Sequence, residues 1–405
     1  MKKAEKFHII DQDQHYQSAR NQMILNQATA QLGISRFELR LLSFFNNYCI
    51  YLFSFGVNEP IHDVWSNHVP KLFFTSELVR NSIYSFSALN LFPLCDIEEL
   101  QLQDNIDSRY QFDERIGQMS FNEKALRKGD DQSLFVKTTN YFIKAINDKN
   151  DVLSKESQYY GPYIADEQTA KELMISSILI FSFLGVHPHK IVPLVSFDRE
   201  ESDYLSISKG IHSTIASCAP AIINTEFRGL FNFENNQKSP KIKESTYPII
   251  INLKRDLDEE FELRELDSKS ADDYQIFSAA LENLQRCLFN AISYDYPIPI
   301  FRWILLLPFG FHELVYQKDF FALRMLYIFA SICTVTRFQL FRDSNVWIDY
   351  IFWYCEYNLT NFNNTWKYKM DENFYKLIFV KEYSFLNIPF SNLRDFDPDY
   401  LVQNM

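Results

Sequence analysis

Glycine is scarce in this chain, and that scarcity limits the available folds more than any other feature. Only 9 of the 405 residues are glycine, beside 14 prolines. Glycine supplies the positive φ angles of tight turns and the bare backbone of phosphate-binding loops. We therefore expect neither a turn-rich β-sandwich or β-barrel nor a nucleotide-binding loop of the G-x-G-x-x-G or G-x-x-x-x-G-K type.

Apolar residues recur at helical spacing along most of the chain, which predicts an all-α protein of roughly ten to fourteen helices joined by long loops. Ser35 and Glu38 have the spacing of a capping box and predict a helix over 37–55 that ends at Gly56. Other helices are predicted over 166–184, 202–218, 299–307, 312–340 and 344–357.

The predicted domain organisation has two parts. Residues 1–34 form a polar lead-in or a short helix, and residues 35–405 form a single helical domain with an acidic linker region near 231–271. Within that region, Ile249–Leu253 is either a short strand or one buried turn, because its periodicity fits both.

The stretch 256–273 is the most acidic part of the chain. It holds nine acidic residues against two basic ones, a charge of −7, with leucine and phenylalanine between them. Mixed acidic and hydrophobic residues are typical of amphipathic activation segments. They also occur in solvated loops that lead into a helix, and this second interpretation is favoured.

Charge and cysteine spacing exclude several kinds of partner. The net charge is −12 and no run of five basic residues occurs, so we expect no direct nucleic-acid contact from this chain. The six cysteines lie more than twenty residues apart, so we expect no metal and read them as reduced intracellular thiols. The apolar stretches Leu173–Val186 and Ala322–Val335 fall short of the roughly 20 residues of a membrane span. They are predicted to be core helices, and the protein is predicted not to span a membrane.

No motif indicates catalysis. His187 and His189 flank a proline without a nearby acid or thiol to complete a metal site. The acids of 198–203 have no nucleophile beside them and suit the N-terminus of the following helix. We therefore predict no catalytic residues, no cofactor and no enzyme activity.

Large aromatic side chains are concentrated in residues 303–353, where fourteen of them fall within fifty-one residues. Any single ring is more often part of a packed core. As a set, aromatic rings on neighbouring helices can also line an apolar ligand pocket. The candidate pocket residues are Trp303, Phe309, Phe311, Phe321, Met325, Phe329 and Trp347.

Several segments, in order along residues 37–358, resemble the regulatory region of the fungal zinc-cluster transcription factors, nearest the branch of the sterol uptake regulators. The segments are Phe73–Leu91, Leu184–Pro188, Val192–Asp198, Ile300–Trp303, Leu305–Pro308 with Phe311, Asp319–Leu323 with Tyr327, and Trp347 at the start of a hydrophobic helix. In that family a Trp and a Pro precede a helix that carries an Ala-Leu pair, and another Trp opens a later helix.

The resemblance implies a ligand- or partner-responsive transcription regulator in the nucleus, and shuttling from the cytoplasm is left open. Such a domain is helical, often a homodimer, and works with transcriptional co-regulators. In the sterol branch the implied ligand is a sterol. More broadly, the expected ligand is a sterol or another lipid. The family's DNA-binding module has six closely spaced cysteines, which are absent here, so the chain is either a regulatory fragment or a relative without that module. The alternative is a non-catalytic helical scaffold in a nuclear complex.

Overall fold

The computed structural model describes residues 31–54, 59–91, 110–113, 118–121, 134–160, 164, 166–187, 191–198, 201–231, 239–262, 268–336, 345–380 and 390–403. These residues are mainly helical, which confirms the all-α fold class. The helices are α1 Arg36–Phe44, α2 Tyr51–Ser54, α3 Glu59–Asp63, α4 Val69–Thr75, α5 Glu77–Leu91, α6 Leu134–Tyr160, α7 Glu167–Val186, α8 Tyr204–Ile222, α9 Pro248–Glu262, α10 Ser268–Tyr294, α11 Ile298–Phe301, α12 Phe311–Tyr316, α13 Phe320–Val335, α14 Val346–Asn361, α15 Lys369–Tyr375 and α16 Pro398–Gln403.

Shorter elements complete this description. Two strands, β1 Tyr110–Asp113 and β2 Gln118–Phe121, pair as an antiparallel hairpin. Turns of π-helix cover Phe45–Cys49, Val64–His68 and Lys376–Val380, and 3₁₀ turns cover Glu226–Phe231, Ile242–Glu244, Arg302–Leu306 and Phe390–Arg394.

The capping box predicted at Ser35 is present. The backbone N–H of Glu38 donates to Ser35 Oγ at 3.1 Å, and the N–H of Ser35 donates to Glu38 Oε2 at 2.7 Å. Each side chain thus satisfies a helix-end donor of the other residue, and the helical segment that begins here reaches Ser54. Gly56, the predicted end of this segment, lies outside the described residues, as do residues 1–30 of the predicted lead-in.

Helices α5 and α13 are buried along nearly all of their length and organise the core. Helix α5 packs against α1, α6 and α7, and α13 packs against α12, α14 and α15. Within the described residues a single apolar cluster extends from Phe37 to Phe396. Helix α7 is the one described helix long and apolar enough to cross a membrane, and 78% of its apolar window is buried inside the protein.

The region predicted as an acidic linker contains an amphipathic helix. Helix α9 includes the segment Ile249–Leu253, which is therefore neither a strand nor a single turn. Its apolar side chains Leu253 and Leu257 are fully buried, and Asp256 is only 5% exposed. The interpretation of the acidic stretch as a solvated loop is wrong for 256–262, because this half of α9 packs into the core.

The helix predicted over 312–340 is interrupted. Helix α12 ends at Tyr316, Lys318 has a φ of 60°, and α13 begins at Phe320. Asp319 caps the new helix, since its Oδ1 accepts the N–H groups of Phe321 at 2.9 Å and Ala322 at 3.1 Å. A left-handed residue cannot continue a right-handed helix, so the chain restarts at this cap.

Candidate functional site

Six of the seven predicted pocket residues lie together in the core, each at most 1% exposed. Helix α13 contributes Phe321, Met325 and Phe329, while the 3₁₀ turn, α12 and α14 contribute one aromatic residue each. We call this set the aromatic cluster; it comprises Trp303, Phe311, Phe321, Met325, Phe329 and Trp347.

The rings of the aromatic cluster contact one another. The Trp303 and Phe329 ring centroids are 4.7 Å apart, Trp303 and Phe311 are 6.1 Å apart, and Phe329 meets Trp347 edge to face at 5.4 Å. Trp303 Nε1 donates to the carbonyl of Ala280 at 2.8 Å. These distances and angles are those of rings that pack as a core. Trp347 Nε1 is buried and has no acceptor among the described residues.

Phe309 does not belong to the aromatic cluster. Its side chain is 86% exposed, and the amine of Lys209 lies 5.8 Å from its ring centroid. Gly310 follows with a φ of 95°, so the chain reverses direction between this residue and helix α12. Phe309 was predicted as a candidate pocket residue, but the structure places it at the surface, apart from the other six.

A buried ion cluster lies beside the aromatic cluster and was not anticipated from the sequence. Arg324, fully buried on α13, donates from Nε to the Asp371 carboxylate at 2.9 and 3.1 Å. Its Nη2 donates to Asp256 Oδ2 at 2.6 Å, and its guanidinium lies 3.5 Å from the ring centroid of Tyr368. Helices α9, α13 and α15 therefore meet at one charged side chain.

Tyrosines complete the partners of Asp371. Tyr354 Oη donates to Asp371 Oδ2 at 2.9 Å, and Tyr327 Oη donates to the Asp371 carbonyl at 2.7 Å. Burial raises the pKa of Asp371, against the opposing charge of Arg324. Burial alone would lower the pKa of Arg324, but the Asp371 and Asp256 carboxylates raise it. The guanidinium thus stays charged, and the ion cluster is a structural joint with no water-exposed acid or base.

An acidic cleft of about 590 Å³ lies between α12 and the loop before α8. Its acidic lining residues are Asp198, Glu201, Asp203 and Glu313. Asp203 is 1% exposed and accepts hydrogen bonds from the backbone of Ser196 and Ser206 at 2.8 and 2.7 Å. Tyr316 Oη also donates to it at 2.9 Å. The prediction that these acids serve the helix terminus is confirmed for Asp203, which forms a capping box at α8.

A second cleft, of about 520 Å³, contains a histidine between two serines. His62 Nδ1 lies 2.8 Å from Ser54 Oγ, and its Nε2 lies 3.1 Å from Ser66 Oγ. In a serine triad the group at Nδ1 is a carboxylate that stabilises the imidazolium formed during the reaction. Here that position holds the neutral hydroxyl of a buried serine, so the arrangement lacks the charge of a triad.

The two histidines that flank Pro188 were not expected to form a metal site. His187 is 4% exposed and its ring centroid lies 5.1 Å from that of Phe183. His189 lies outside the described residues. Across the part of the chain that the structure describes, no group of three or more His, Cys, Asp or Glu side chains is arranged to hold a metal ion.

Comparison with known proteins identifies no relative of this chain. The fold and its core define an all-α protein with an aromatic cluster beside a buried ion cluster. No protein-family model matches the chain, and no curated protein or solved structure matches it either.

Proposed function

We propose that this chain is a transcription regulator, the ligand- or partner-responsive regulatory domain of a fungal zinc-cluster transcription factor. It would act in the nucleus as a non-catalytic homodimer that contacts co-regulators and leaves DNA contact to another module. A scaffold role within a nuclear complex is the second candidate, since it requires the same kind of interaction surface.

The observation that supports the proposal is that the segments resembling this family pack against one another. Phe301 lies 6.0 Å from Trp347, centroid to centroid, although the two belong to different segments. Tyr204 contacts the same Trp347 at 5.5 Å, and its backbone N–H donates to the carbonyl of Pro193 at 2.9 Å. The middle and C-terminal segments thus share one core, as parts of one domain would.

The proposed regulator responds either to a sterol-like ligand or to a protein partner. The packing of the aromatic cluster favours the protein partner. The rings of the aromatic cluster contact one another at core distances, which leaves a sterol-sensing pocket less support. The sterol form retains one argument, the unpartnered indole N–H of Trp347, to which a ligand hydroxyl could bind.

An exposed apolar patch suggests where a partner would bind. Phe352 on α14 is 46% exposed and stacks on Phe379 at 4.4 Å, beside Val380, which is 64% exposed. Exposed aromatic and aliphatic side chains grouped in this way are typical of interaction surfaces. Both the regulator and the scaffold use such a surface, so reporter activity must distinguish them.

The test joins the full chain to a heterologous DNA-binding domain in yeast and measures a reporter. We expect reporter output to change at least several-fold relative to the DNA-binding domain alone. Phe352→Asp should abolish that change, while Val136→Asp, an exposed apolar position on α6, should preserve it. No change with the unaltered chain would contradict transcriptional regulation, and an effect that survives Phe352→Asp would exclude the patch.

Native mass spectrometry with lipid extraction distinguishes a regulator that binds a sterol from one that responds to a protein partner. We expect a dimer without a stoichiometric lipid. A sterol retained at one molecule per chain would overturn the partner form and restore the sterol-sensing one.

A further inference from the structure

A lysine side chain lies inside a cage of aromatic rings between the turn after α14, the start of α13 and the end of α9. The Nζ atom of this residue, Lys367, is near three ring centroids, those of Phe320 at 4.8 Å, Phe362 at 5.6 Å and Tyr368 at 5.3 Å. Glu260 completes the cage, because its Oε2 accepts from Lys367 Nζ at 2.6 Å and from Tyr368 Oη at 3.0 Å. We call the three rings and the carboxylate, Phe320, Phe362, Tyr368 and Glu260, the ammonium cage.

The ammonium cage is open to solvent. The side chains of Glu260 and Lys367 are 19% and 26% exposed. The rings of Phe320, Phe362 and Tyr368 are each partly exposed as well. A cationic group of another molecule can therefore reach the cage from outside while the helices stay packed.

The turn between α14 and α15 holds the cage in shape. The N–H of Phe362 donates to the Asn358 carbonyl at 3.0 Å, and Asn363 and Asn364 follow with φ angles of 53° and 61°. Asparagine tolerates this left-handed conformation better than most residues do. Asn358 Oδ1 also accepts the backbone N–H of Lys367 at 3.3 Å. Because the backbone is held in this way, the Lys367 side chain can leave the cage by rotating about its own bonds.

The charges beside the cage suit one cation. Arg324 of the ion cluster lies 3.5 Å from the centroid of one cage ring, but its charge is paired with the carboxylates of Asp256 and Asp371. It therefore adds no net positive charge next to the cage. The Glu260 carboxylate pairs with Lys367, and a cation that replaces this lysine would find the same carboxylate.

A quaternary ammonium group fits such a cage better than a lysine ammonium. The lysine ammonium is strongly hydrated and gives up water when rings surround it. A quaternary ammonium has no N–H group to leave unsatisfied, and its methyl groups contact the ring faces directly. Lys367 nevertheless has an advantage, since it belongs to the chain and loses no translational freedom on entering the cage.

We propose that the ammonium cage is a binding site for a quaternary ammonium group, that of a trimethylated lysine or of choline, and that Lys367 is its internal competitor. The incoming group takes the place of the Lys367 ammonium against the three rings and beside Glu260, while that ammonium moves into water. No covalent bond forms or breaks. Binding at this site does not depend on a role in transcription, so the failure of either proposal leaves the other intact.

The experiment adds the full-length chain to choline and follows the N-methyl proton signal of choline by NMR. Three competitors are then added in turn: a peptide with trimethyllysine, the same peptide with unmodified lysine, and the neutral analogue of choline in which carbon replaces nitrogen. Lys367→Ala removes the internal competitor. Phe362→Leu removes one cage ring and keeps an apolar side chain, and Phe352→Leu makes the same change at an exposed ring outside the cage.

We expect saturable binding to the wild type and about ten-fold tighter binding to Lys367→Ala. Phe362→Leu should weaken binding about ten-fold, while Phe352→Leu should leave it unchanged. The neutral analogue should not compete. Tighter binding of the trimethyllysine peptide than of choline identifies a methylated protein as the ligand, and the reverse order identifies choline.

A gain in affinity cannot come from a misfolded variant, so Lys367→Ala tests the site even if Phe362→Leu is unstable. The proposal is overturned by a lack of saturable binding to the wild type or by an affinity that Lys367→Ala leaves unchanged. Equal losses in Phe362→Leu and Phe352→Leu, or competition by the neutral analogue as strong as that by the trimethyllysine peptide, would overturn it as well.

Discussion

At the scale of single residues, a buried lysine without an ion-pair partner among the described residues predicts how the stability of the protein depends on pH. The pKa of Lys149 is about 8 in the folded protein, below the model-compound value of 10.5 that applies to the unfolded chain. Between these values the unfolded state binds more protons, so the contribution of Lys149 to stability rises with pH. The penalty is fully present below about pH 8 and amounts to about 3 kcal/mol.

Lys149→Met should remove that penalty. We expect the variant to exceed the wild type in free energy of unfolding by up to about 3 kcal/mol at pH 7, and the difference should vanish towards pH 10.5. Urea unfolding of both proteins across this range measures it. Tyr204, whose pKa burial raises, is common to both proteins, so its contribution cancels in the difference.

Lys171→Met is the control, because Lys171 has a similar exposed fraction but its charge is paired. This variant leaves Glu167 and Glu226 without their cation, so it should be less stable than the wild type at pH 7. A Lys149→Met variant that is no more stable than the wild type at pH 7 would show that the amine is solvated in the folded protein.

At the scale of single elements, the interruption between α12 and α13 depends on the cap at Asp319. Asp319→Ala removes the acceptor for two backbone N–H groups and should lower the free energy of unfolding by about 1 kcal/mol. Asp319→Asn keeps an acceptor oxygen and should cost much less. Urea unfolding of the two variants tests this, and equal losses would show that the charge of Asp319 matters more than its hydrogen bonds.

The same interruption shows what the sequence could predict at this scale. Apolar spacing located α7, α8 and α14 because a buried helix face must repeat about every 3.6 residues. It could not locate the break, since apolar residues continue on both sides of Lys318 and its positive φ has no signature in a lysine. The capping box at Ser35 was readable because both of its residues lie within one turn.

The candidate site, too, was predictable only where its residues lie close together in the sequence. Six of the seven candidate residues lie in the buried core, because the nearby elements that carry them fold on one another, and their role in lining a ligand pocket stays a prediction. The ion cluster was missed because Arg324 and Asp256 lie 68 positions apart. The sequence showed one arginine in an apolar helix and an excess of acidic residues elsewhere. Neither feature indicates which acidic residue pairs with the arginine.

At the scale of the whole molecule, the ion cluster joins the C-terminal helices to the rest of the core. Helix α15 supplies Asp371, which pairs with Arg324, and α15 also buries Met370 and Phe374. A chain that ends at residue 361 would lose this carboxylate and leave the buried guanidinium with Asp256 alone. Breaking a buried ion pair costs about 3–5 kcal/mol, to which the lost apolar burial is added.

We therefore expect the chain 1–361 to lose its cooperative thermal unfolding transition, as followed by circular dichroism. The chain 1–397 should retain the transition, because it keeps α15 and removes only α16. Asn373 Nδ2 of α15 donates to Asp399 Oδ1 of α16 at 2.7 Å, and this hydrogen bond is lost. Asp371→Ala in the full chain is the point-variant companion and should lower the midpoint temperature without shortening the chain. If 1–361 unfolds cooperatively at the wild-type temperature, the C-terminal helices are an independent unit and Arg324 has found another partner. Because the charge of Arg324 can be held only by carboxylates from two separate helices, the fold requires both helices at once, and that requirement is what would make the helical chain unfold as one body.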